Sequence, residues 1–233
     1  KEKTYEAVMR LGVVTDTQDM SGTVLSEVPE FQVAEEELRA VTESFAGDYM
    51  QVPPMYSALK VNGKKLYELA REGKTVERKP RPVHFYEIEI LDIDFPLVRF
   101  RVTCSKGTYI RTLCHDIGEK LGCGAAMETL LRTKVGRFTL DDAITLAQTE
   151  EAVRNGEIEQ RILGIEEILA EYPRVCCTKE GDRLLANGNP LVQALVNAEE
   201  KDGWIRMCNS EGSFAGVYQW DEKRDRYFPV KMF

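Results

Sequence analysis

A phenol and a guanidinium stand two residues apart where a predicted strand runs into a predicted helix. The segment SKGTYIRTLCHDIG, residues 105–118, follows the alternating run VRFRVTCS and carries Tyr109 and Arg111 at the start of the helix. Arginine offers a permanent charge and a planar fork that fits a carboxylate or a phosphate, and tyrosine offers a flat apolar face with a polar tip. The pair therefore suits a flat polar ligand beside an anion. The alternative is structural: a core tyrosine and an arginine in a surface ion pair.

A basic segment with interleaved aromatic residues precedes that junction. Between Lys60 and Arg81 there are eight Lys or Arg residues against three Glu, a local balance of +5 on a chain whose net charge is −8. Looped or single-stranded RNA needs cations for its backbone and aromatic faces for its bases. We therefore predict an RNA-binding segment, and the alternative is an ordinary solvated hairpin around Asn62 and Gly63. The residues expected to contact RNA are Tyr56, Lys60, Lys64, Lys65 and Arg71.

Composition narrows the remaining chemistry. The acidic net charge argues weakly against a nucleic-acid partner, while the six cysteines without metal-ligand spacing favour reduced thiols and a cytoplasmic location. No apolar run is long enough to span a membrane, no signal-peptide pattern is present, and no glycine-rich phosphate loop occurs. The TDTQD stretch could offer carboxylates to a metal, but Asp16 and Asp19 are more typical of turn formers. We therefore predict neither a metal nor a cofactor.

Hydrophobic periodicity predicts an α+β fold with a mostly antiparallel sheet. Residues 4–25 alternate as strands do, and residues 34–47 are typical of a helix that ends at a glycine. Residues 84–105 are typical of a hairpin that turns near Pro96, and residues 109–121 form the helix that follows it.

Pro173 is the best candidate for a domain boundary. Beyond it, short strands alternate with turn dipeptides over about 60 residues, which is typical of a small β-rich module. We predict a first domain over residues 1–172, with an insertion at about residues 51–80, and a second domain over residues 173–233.

Three blocks of sequence together resemble one known family. They are KTYEAVMRLGVVTDTQDMSG, QVPPMYSALKVNGKKLYELAREG and CSKGTYIRTLCHDIGEKLGCGAAMETLLRT, in this order, over much of residues 3–138. They closely resemble the bacterial tRNA pseudouridine synthase B family, whose members isomerise the T-loop uridine at position 55 of tRNA. The resemblance implies a pseudouridine-synthase fold with an inserted thumb over residues 51–80, a PUA-like RNA-binding tail and no cofactor. The implied partner is tRNA, through its T-arm and T-loop.

The resemblance also implies roles for single residues. Tyr5 matches the tyrosine that stacks on the target base and is a candidate for removing its C5 proton. Arg111 matches the arginine that pairs with the catalytic aspartate, and Tyr109 and Leu130 match residues that line the uracil pocket. Because the family's target nucleotide is flipped out of its stack, an aromatic face in the pocket has to replace the lost stacking.

One departure from the family pattern concerns the nucleophile. The family's catalytic aspartate belongs to a Gly-Leu-Asp motif upstream of the block with Tyr5, and no Gly-x-Leu-Asp occurs in these 233 residues. We therefore expect the chain to lack the nucleophile and to bind RNA without isomerising it, with an N-terminal fragment as a candidate partner. The alternatives are a non-catalytic protein that binds or folds tRNA, an RNA-modifying enzyme of another class, such as a methyltransferase, and a structural partner without an RNA role.

Overall fold

In the described part of residues 1–143, six antiparallel strands form the main sheet. The computed structural model describes residues 1–61, 63–197 and 201–233, and its contacts divide the chain into two units, 1–143 and 144–233. The strands of the first unit are β1 (Lys3–Leu11), β2 (Val13–Thr15), β3 (Val24–Glu27), β4 (Gly47–Gln51), β5 (Lys60–Val61), β6 (Lys64–Lys65), β7 (Arg81–Asp94), β8 (Leu97–Cys104), β9 (Ala125–Val135) and β10 (Phe138–Thr139). The order in the main sheet is β10-β9-β1-β8-β7-β4, which places β1 and β8 at its centre.

The main sheet buries one face against helices. The helices of the first unit are α1 (Glu35–Glu43), α2 (Leu66–Arg71) and α3 (Ile110–Leu121). On β1, the alternate residues Ala7, Met9 and Leu11 are buried, as expected for a strand with one covered face. From α3, Leu113 and Ile117 pack into the same core, and their spacing of four residues places them on one face of the helix.

The β8–α3 junction brings the start of α3 to the end of a central strand. β8 ends at Cys104, and Gly107 then takes a positive φ of 87°, a conformation that glycine adopts without steric cost. α3 begins after Tyr109 and ends at Gly122, which is left-handed with a φ of 75°. Arg111 is therefore held in the first turn of a helix whose other turns are anchored in the core.

Residues 51–80, which we call the thumb segment, leave the sheet and return to it at one point. Gln51, the last residue of β4, pairs with Arg81, the first residue of β7. Between them, β5 and β6 pair with each other, and α2 follows directly. Asn62, part of the predicted turn between β5 and β6, lies outside the described residues.

The second unit has its own sheet and core. Its strands are β11 (Arg174–Cys176), β12 (Leu191–Val192), β13 (Trp204–Cys208), β14 (Phe214–Asp221) and β15 (Arg226–Met232), and its helices are α4 (Leu146–Arg154), α5 (Ile165–Ile168) and α6 (Asp182–Ala186). The strand order is β11-β13-β14-β15-β12, with β11 parallel to β13 and the other pairs antiparallel. Tyr218 and Tyr227 are fully buried at its centre.

The predicted α+β class with a mostly antiparallel sheet is confirmed. The hairpin around Pro96 and the helix after Tyr109 occur where periodicity predicted them. The domain boundary at Pro173 stays a prediction, since the contacts alone group α4 and α5 with the second unit. Within the described ranges, no helix has the length and apolar character needed to cross a bilayer.

Candidate functional site

Arg111 joins two loops that are distant in sequence. Its Nη1 donates to Asp19 Oδ2 at 2.8 Å, and its Nη2 donates to the carbonyl oxygen of Tyr56. The ion pair is mostly buried, with side-chain exposures of 23% for Arg111 and 15% for Asp19. The guanidinium therefore has a carboxylate partner within the chain itself. We call Asp16, Asp19, Tyr56 and Arg111 the Arg111 cluster.

The loop before β3 orients the Asp19 carboxylate. Asp19 Oδ1 accepts hydrogen bonds from Thr17 Oγ1 at 2.8 Å, from the Ser21 backbone N–H at 3.2 Å and from Ser21 Oγ. Burial would raise the pKa of Asp19, but these bonds and the one from Arg111 outweigh burial and hold the pKa below its usual value. Asp19 is therefore ionised at neutral pH and fixed in direction.

Contacts of Gln18 and Met20 fix this loop against both a helix and a strand. Gln18 Oε1 accepts a 2.7 Å hydrogen bond from Thr112 Oγ1 of α3. The Met127 N–H donates to the Gln18 carbonyl at 3.0 Å, and the Met20 N–H donates to the Met127 carbonyl at 2.9 Å. Because Met127 belongs to β9, the loop that carries Asp19 is held both by α3, which carries Arg111, and by β9, on which α3 packs.

Tyr56, which the sequence predicts as an RNA contact, lies at the Arg111 cluster. Its carbonyl accepts from Arg111, and its hydroxyl donates a long hydrogen bond of 3.4 Å to Asp16 Oδ2. Asp16 Oδ1 accepts from the Thr23 N–H at 2.8 Å, as expected of a turn-forming aspartate. The beginning of the thumb segment is therefore attached to the loop that carries Asp19.

Tyr5 occupies a central position in the sheet. It lies on β1 opposite Val102 of β8 and Arg132 of β9, and it is half-buried. Burial raises the pKa of the Tyr5 phenol, the nearby Cys104 thiol acts in the same direction, and a hydrogen bond with Arg132 opposes them only in part. The phenol is therefore protonated at neutral pH.

Leu130 shares a sheet face with Tyr5. It lies on β9 opposite Ala7 and is 42% exposed, so an apolar surface is open to a ligand. Partners across an antiparallel pair, and residues two apart in a strand, point to the same face. Tyr5, Leu130 and Arg132 thus form one patch, which we call the Tyr5 patch.

β9 connects the Tyr5 patch to the Arg111 cluster. Met127, which lies three residues before Leu130 on β9, forms an isolated β-bridge with Asp19. Tyr109 and Arg111 lie at one end of α3, which packs on β9 and β1. That Tyr5, Tyr109, Leu130 and Arg111 line one pocket stays a prediction.

Cations and aromatic rings alternate in the thumb segment. Lys64 Nζ lies 3.7 Å from the Glu72 carboxylate, and Lys65 Nζ lies 3.2 Å from the hydroxyl of Tyr67. The Arg71 guanidinium lies over the Tyr67 ring, 5.4 Å from its centre. This arrangement can offer both charge and a stacking face to a nucleic acid.

Two residues of the site are not indicated by the sequence pattern. Asp19 is a turn former, as predicted, but the same carboxylate is also the partner of Arg111. Gln51 is 1% exposed, and its side-chain amide bonds both backbone groups of Tyr109. Among the described residues, no group of three or more His, Cys, Asp or Glu side chains is placed to hold a metal ion.

Family comparisons cover most of the chain. The model described as "TruB family pseudouridylate synthase (N terminal domain)" matches residues 1–110. The model described as "tRNA pseudouridylate synthase B C-terminal domain" matches residues 111–170.

Curated relatives are similar over 80% to 100% of the chain. The tRNA pseudouridine synthase B of Lachnoclostridium phytofermentans is 47% identical over 247 residues, which cover 100% of this chain and 80% of the relative. That of Clostridium novyi is 50% identical over 80% of this chain and 63% of the relative. That of Clostridium tetani is 42% identical over 94% of this chain and 74% of the relative.

A solved structure shows the same fold. The crystal structure of a Cbf5-Nop10-Gar1 complex matches with a TM-score of 0.68 at 23% identity, and the match covers 99% of this chain and 66% of that chain.

Proposed function

The chain belongs to the TruB family of pseudouridylate synthases, and we propose on this basis that it recognises the T-loop of tRNA and holds the uridine at position 55 for isomerisation to pseudouridine. The relatives named tRNA pseudouridine synthase B support tRNA as the substrate. The T-loop and the position rest on the three blocks of sequence that resemble the family.

The Arg111–Asp19 ion pair carries the proposal. The contacts of Arg111 to Asp19 and Tyr56 use two of its five N–H donors, so the guanidinium can bind a further anion without breaking either contact. The family's catalytic carboxylate would be such an anion. An unpaired carboxylate in a closed pocket would be costly and would gain a proton, whereas a fixed guanidinium keeps it charged. We therefore propose that Arg111 holds the nucleophile beside the thumb segment.

Tyr5 is better suited to stacking than to removing a proton. Its raised pKa keeps the phenol protonated at neutral pH, and a protonated phenol cannot accept the C5 proton as a general base. Its ring and the exposed Leu130 side chain can replace the stacking that a flipped uracil loses. We therefore propose Tyr5 as the aromatic face of the pocket.

We expect the 233-residue chain to bind a T-arm stem-loop RNA but to form no pseudouridine from it. The thumb segment, Tyr5 and Arg111 provide for binding, whereas the sequence has no Gly-x-Leu-Asp aspartate to act as nucleophile. The measurement is tritium release from RNA labelled at C5 of the target uridine, with binding followed by fluorescence anisotropy. Robust tritium release would refute the prediction that the chain lacks the nucleophile.

An unrelated hairpin of equal length and charge is the control for this experiment. Both RNAs carry the same number of phosphates, so non-specific electrostatic binding contributes equally to each. Tighter binding of the T-arm RNA supports the proposed function. Equal binding of the two RNAs would contradict it.

Neutralising Lys60, Lys64 and Lys65 together by glutamine should weaken RNA binding and flatten its salt dependence. Each lost phosphate contact reduces the slope of log affinity against log salt by about 0.7 to 0.9, so the loss of three contacts should reduce it by about 2.1 to 2.7. The measurement is the affinity for T-arm RNA at several salt concentrations.

Lys120→Gln is the matched control, because Lys120 lies in the last turn of α3 and donates to Ser44 Oγ at 2.8 Å, outside the thumb segment. It removes one charge and should leave the slope unchanged. A triple thumb variant with the wild-type slope would show that this segment faces away from the RNA.

We also propose that residues 173–233 bind RNA and that the protein acts in the cytoplasm. The family resemblance of the tail supports the first, and the six free thiols are compatible with the second.

A further inference from the structure

Gln51 binds the backbone of Tyr109 through both ends of its side-chain amide. Its Nε2 donates to the Tyr109 carbonyl at 3.0 Å, and its Oε1 accepts from the Tyr109 N–H at 2.9 Å. This is the hydrogen-bond pair that a neighbouring strand would make, supplied here by one side chain. At 1% exposure, the amide makes these bonds without competition from water.

Tyr109 depends on this amide because it stands between two regular elements. It is the residue before the first turn of α3, and no side chain of the described residues caps the helix there. Its carbonyl also accepts from Leu113 at 3.2 Å, but its N–H lies outside both the β8 ladder and the helix. The Gln51 amide is itself buried, and a buried polar group left without a partner costs about 1–3 kcal/mol, so this pair of bonds fixes where α3 begins.

Gln51 is also the residue at which the thumb segment leaves the sheet. Its backbone pairs with Arg81, where that segment returns, while its side chain reaches the α3 junction. A second hydrogen bond also connects the thumb segment to α3, because Arg111 donates to the Tyr56 carbonyl. The base of the thumb and the start of α3 are therefore connected at two points, one residue on either side of Ile110.

We propose that Gln51 is a positioning residue for the predicted uracil pocket. By holding the Tyr109 backbone, Gln51 sets the direction of the Tyr109 side chain. It also sets the position of Arg111, two residues later, relative to the first residues of the thumb segment. The role of Gln51 as an anchor of the α3 junction stands on the hydrogen bonds alone. Its consequence for the target uridine rests on the proposed function.

Gln51→Met tests the proposal, because methionine has similar length and removes both hydrogen bonds. The RNA carries 5-fluorouridine at the target position, and its fluorine NMR shift reports whether the base enters the pocket. With saturating RNA, we expect the change in fluorine chemical shift on binding to be about half or less of the wild-type change. The affinity for the RNA should change by less than about threefold, because phosphate contacts dominate affinity.

Val98→Ala is the control for loss of stability. Val98 is fully buried on β8, opposite Met9, at the end of the strand away from the α3 junction. Both variants should unfold more easily, but the control should keep the wild-type fluorine shift. If the two variants move the shift equally, or Gln51→Met leaves it unchanged, Gln51 is not a positioning residue.

Gln51→Glu adds a readout that general destabilisation would not give. A protonated glutamic acid donates and accepts just as the amide does, whereas the carboxylate cannot donate to the Tyr109 carbonyl. Burial raises the pKa of a carboxyl group, so the variant should match wild type near about pH 5. Near about pH 8 its carboxylate should still accept from the Tyr109 N–H but lose the bond to the Tyr109 carbonyl, and the fluorine shift should move toward that of Gln51→Met. The same behaviour at both pH values would contradict the proposal.

Amide hydrogen exchange of Tyr109 separates this proposal from the proposed function. Without RNA, Gln51→Met should speed exchange of that amide by about tenfold or more relative to Val98→Ala, as expected for a lost hydrogen bond. If wild type fails to bind the RNA but the exchange result holds, the proposed function is wrong and the anchor remains. Unchanged exchange would overturn the anchor itself.

Discussion

Arg111→Ala should lower the free energy of unfolding of the 233-residue chain by about 2 kcal/mol. Breaking a fully buried ion pair costs about 3–5 kcal/mol, because the remaining charge stays desolvated. The loss should be smaller here, since the side chains keep 23% and 15% of their exposure and Asp19 retains hydrogen bonds from its own loop. Urea unfolding of the variant and of wild type measures the difference.

Arg99→Ala is the matched control for this prediction. Arg99 pairs with Glu6 at 2.7 Å, a distance similar to that of the Arg111 pair, but 55% of its side chain is exposed. Exposed ion pairs contribute little, so this variant should lose much less stability than Arg111→Ala. Equal losses of unfolding free energy in the two variants would mean that the buried Arg111 pair stabilises the fold no more than an exposed pair does.

A double-mutant cycle with Asp19→Asn isolates the pairwise contribution. If the two side chains interact as their 2.8 Å contact indicates, the double variant should lose less stability than the sum of the single variants. Additive losses would show that Arg111 acts mainly through its bond to the Tyr56 carbonyl.

The same pair fixes the direction of a pH effect. Because the folded-state pKa of Asp19 is lowered, its stabilising contribution is full above the unfolded pKa of about 3.9 and is lost as the pH falls through the folded value. The stability difference between wild type and Arg111→Ala should therefore be constant from about pH 6 to pH 8 and should shrink below about pH 4. A difference that shrinks near neutral pH would implicate another group.

Local sequence patterns predicted the elements that carry the site. Alternation identified β1, β7 and β8, and helical spacing together with Gly122 identified α3, because a buried face leaves its period in the sequence. The resemblance then supplied roles for Tyr109 and Arg111, which the spacing alone could not distinguish from a core tyrosine and an arginine in a surface ion pair.

Long-range polar contacts were beyond the sequence. Asp19 and Arg111 are 92 positions apart, and nothing in the local pattern of either residue indicates the other. The same holds for Gln51 and Tyr109, which are 58 positions apart. A glutamine at the end of a strand is normally exposed, and only the approach of the α3 junction to β4 makes its amide a backbone partner.

Gly118→Ala should lower the free energy of unfolding by about 2–3 kcal/mol, although helix propensity alone predicts a gain of about 1 kcal/mol. Gly118 is buried near the C-terminal end of α3, and its carbonyl accepts from the Gly124 N–H at 3.0 Å. A Cβ at this position would fall well inside contact distance of the Ala125 nitrogen and the Gly124 carbonyl carbon, which are main-chain atoms and cannot rotate away. The helix would have to move off the start of β9.

Gly122→Ala separates this packing effect from backbone strain. Gly122 has a φ of 75°, and a Cβ there would meet no atom of the described residues within 4 Å, so only the left-handed conformation is penalised, by about 1 kcal/mol. Because a helix that moves at Gly118 also moves Arg111 two turns earlier, Gly118→Ala should weaken the Arg111–Asp19 coupling measured by the cycle, whereas Gly122→Ala should preserve it. Retained coupling in both variants would show that the loop carrying Asp19, rather than the seat of α3 on β9, sets the position of the guanidinium.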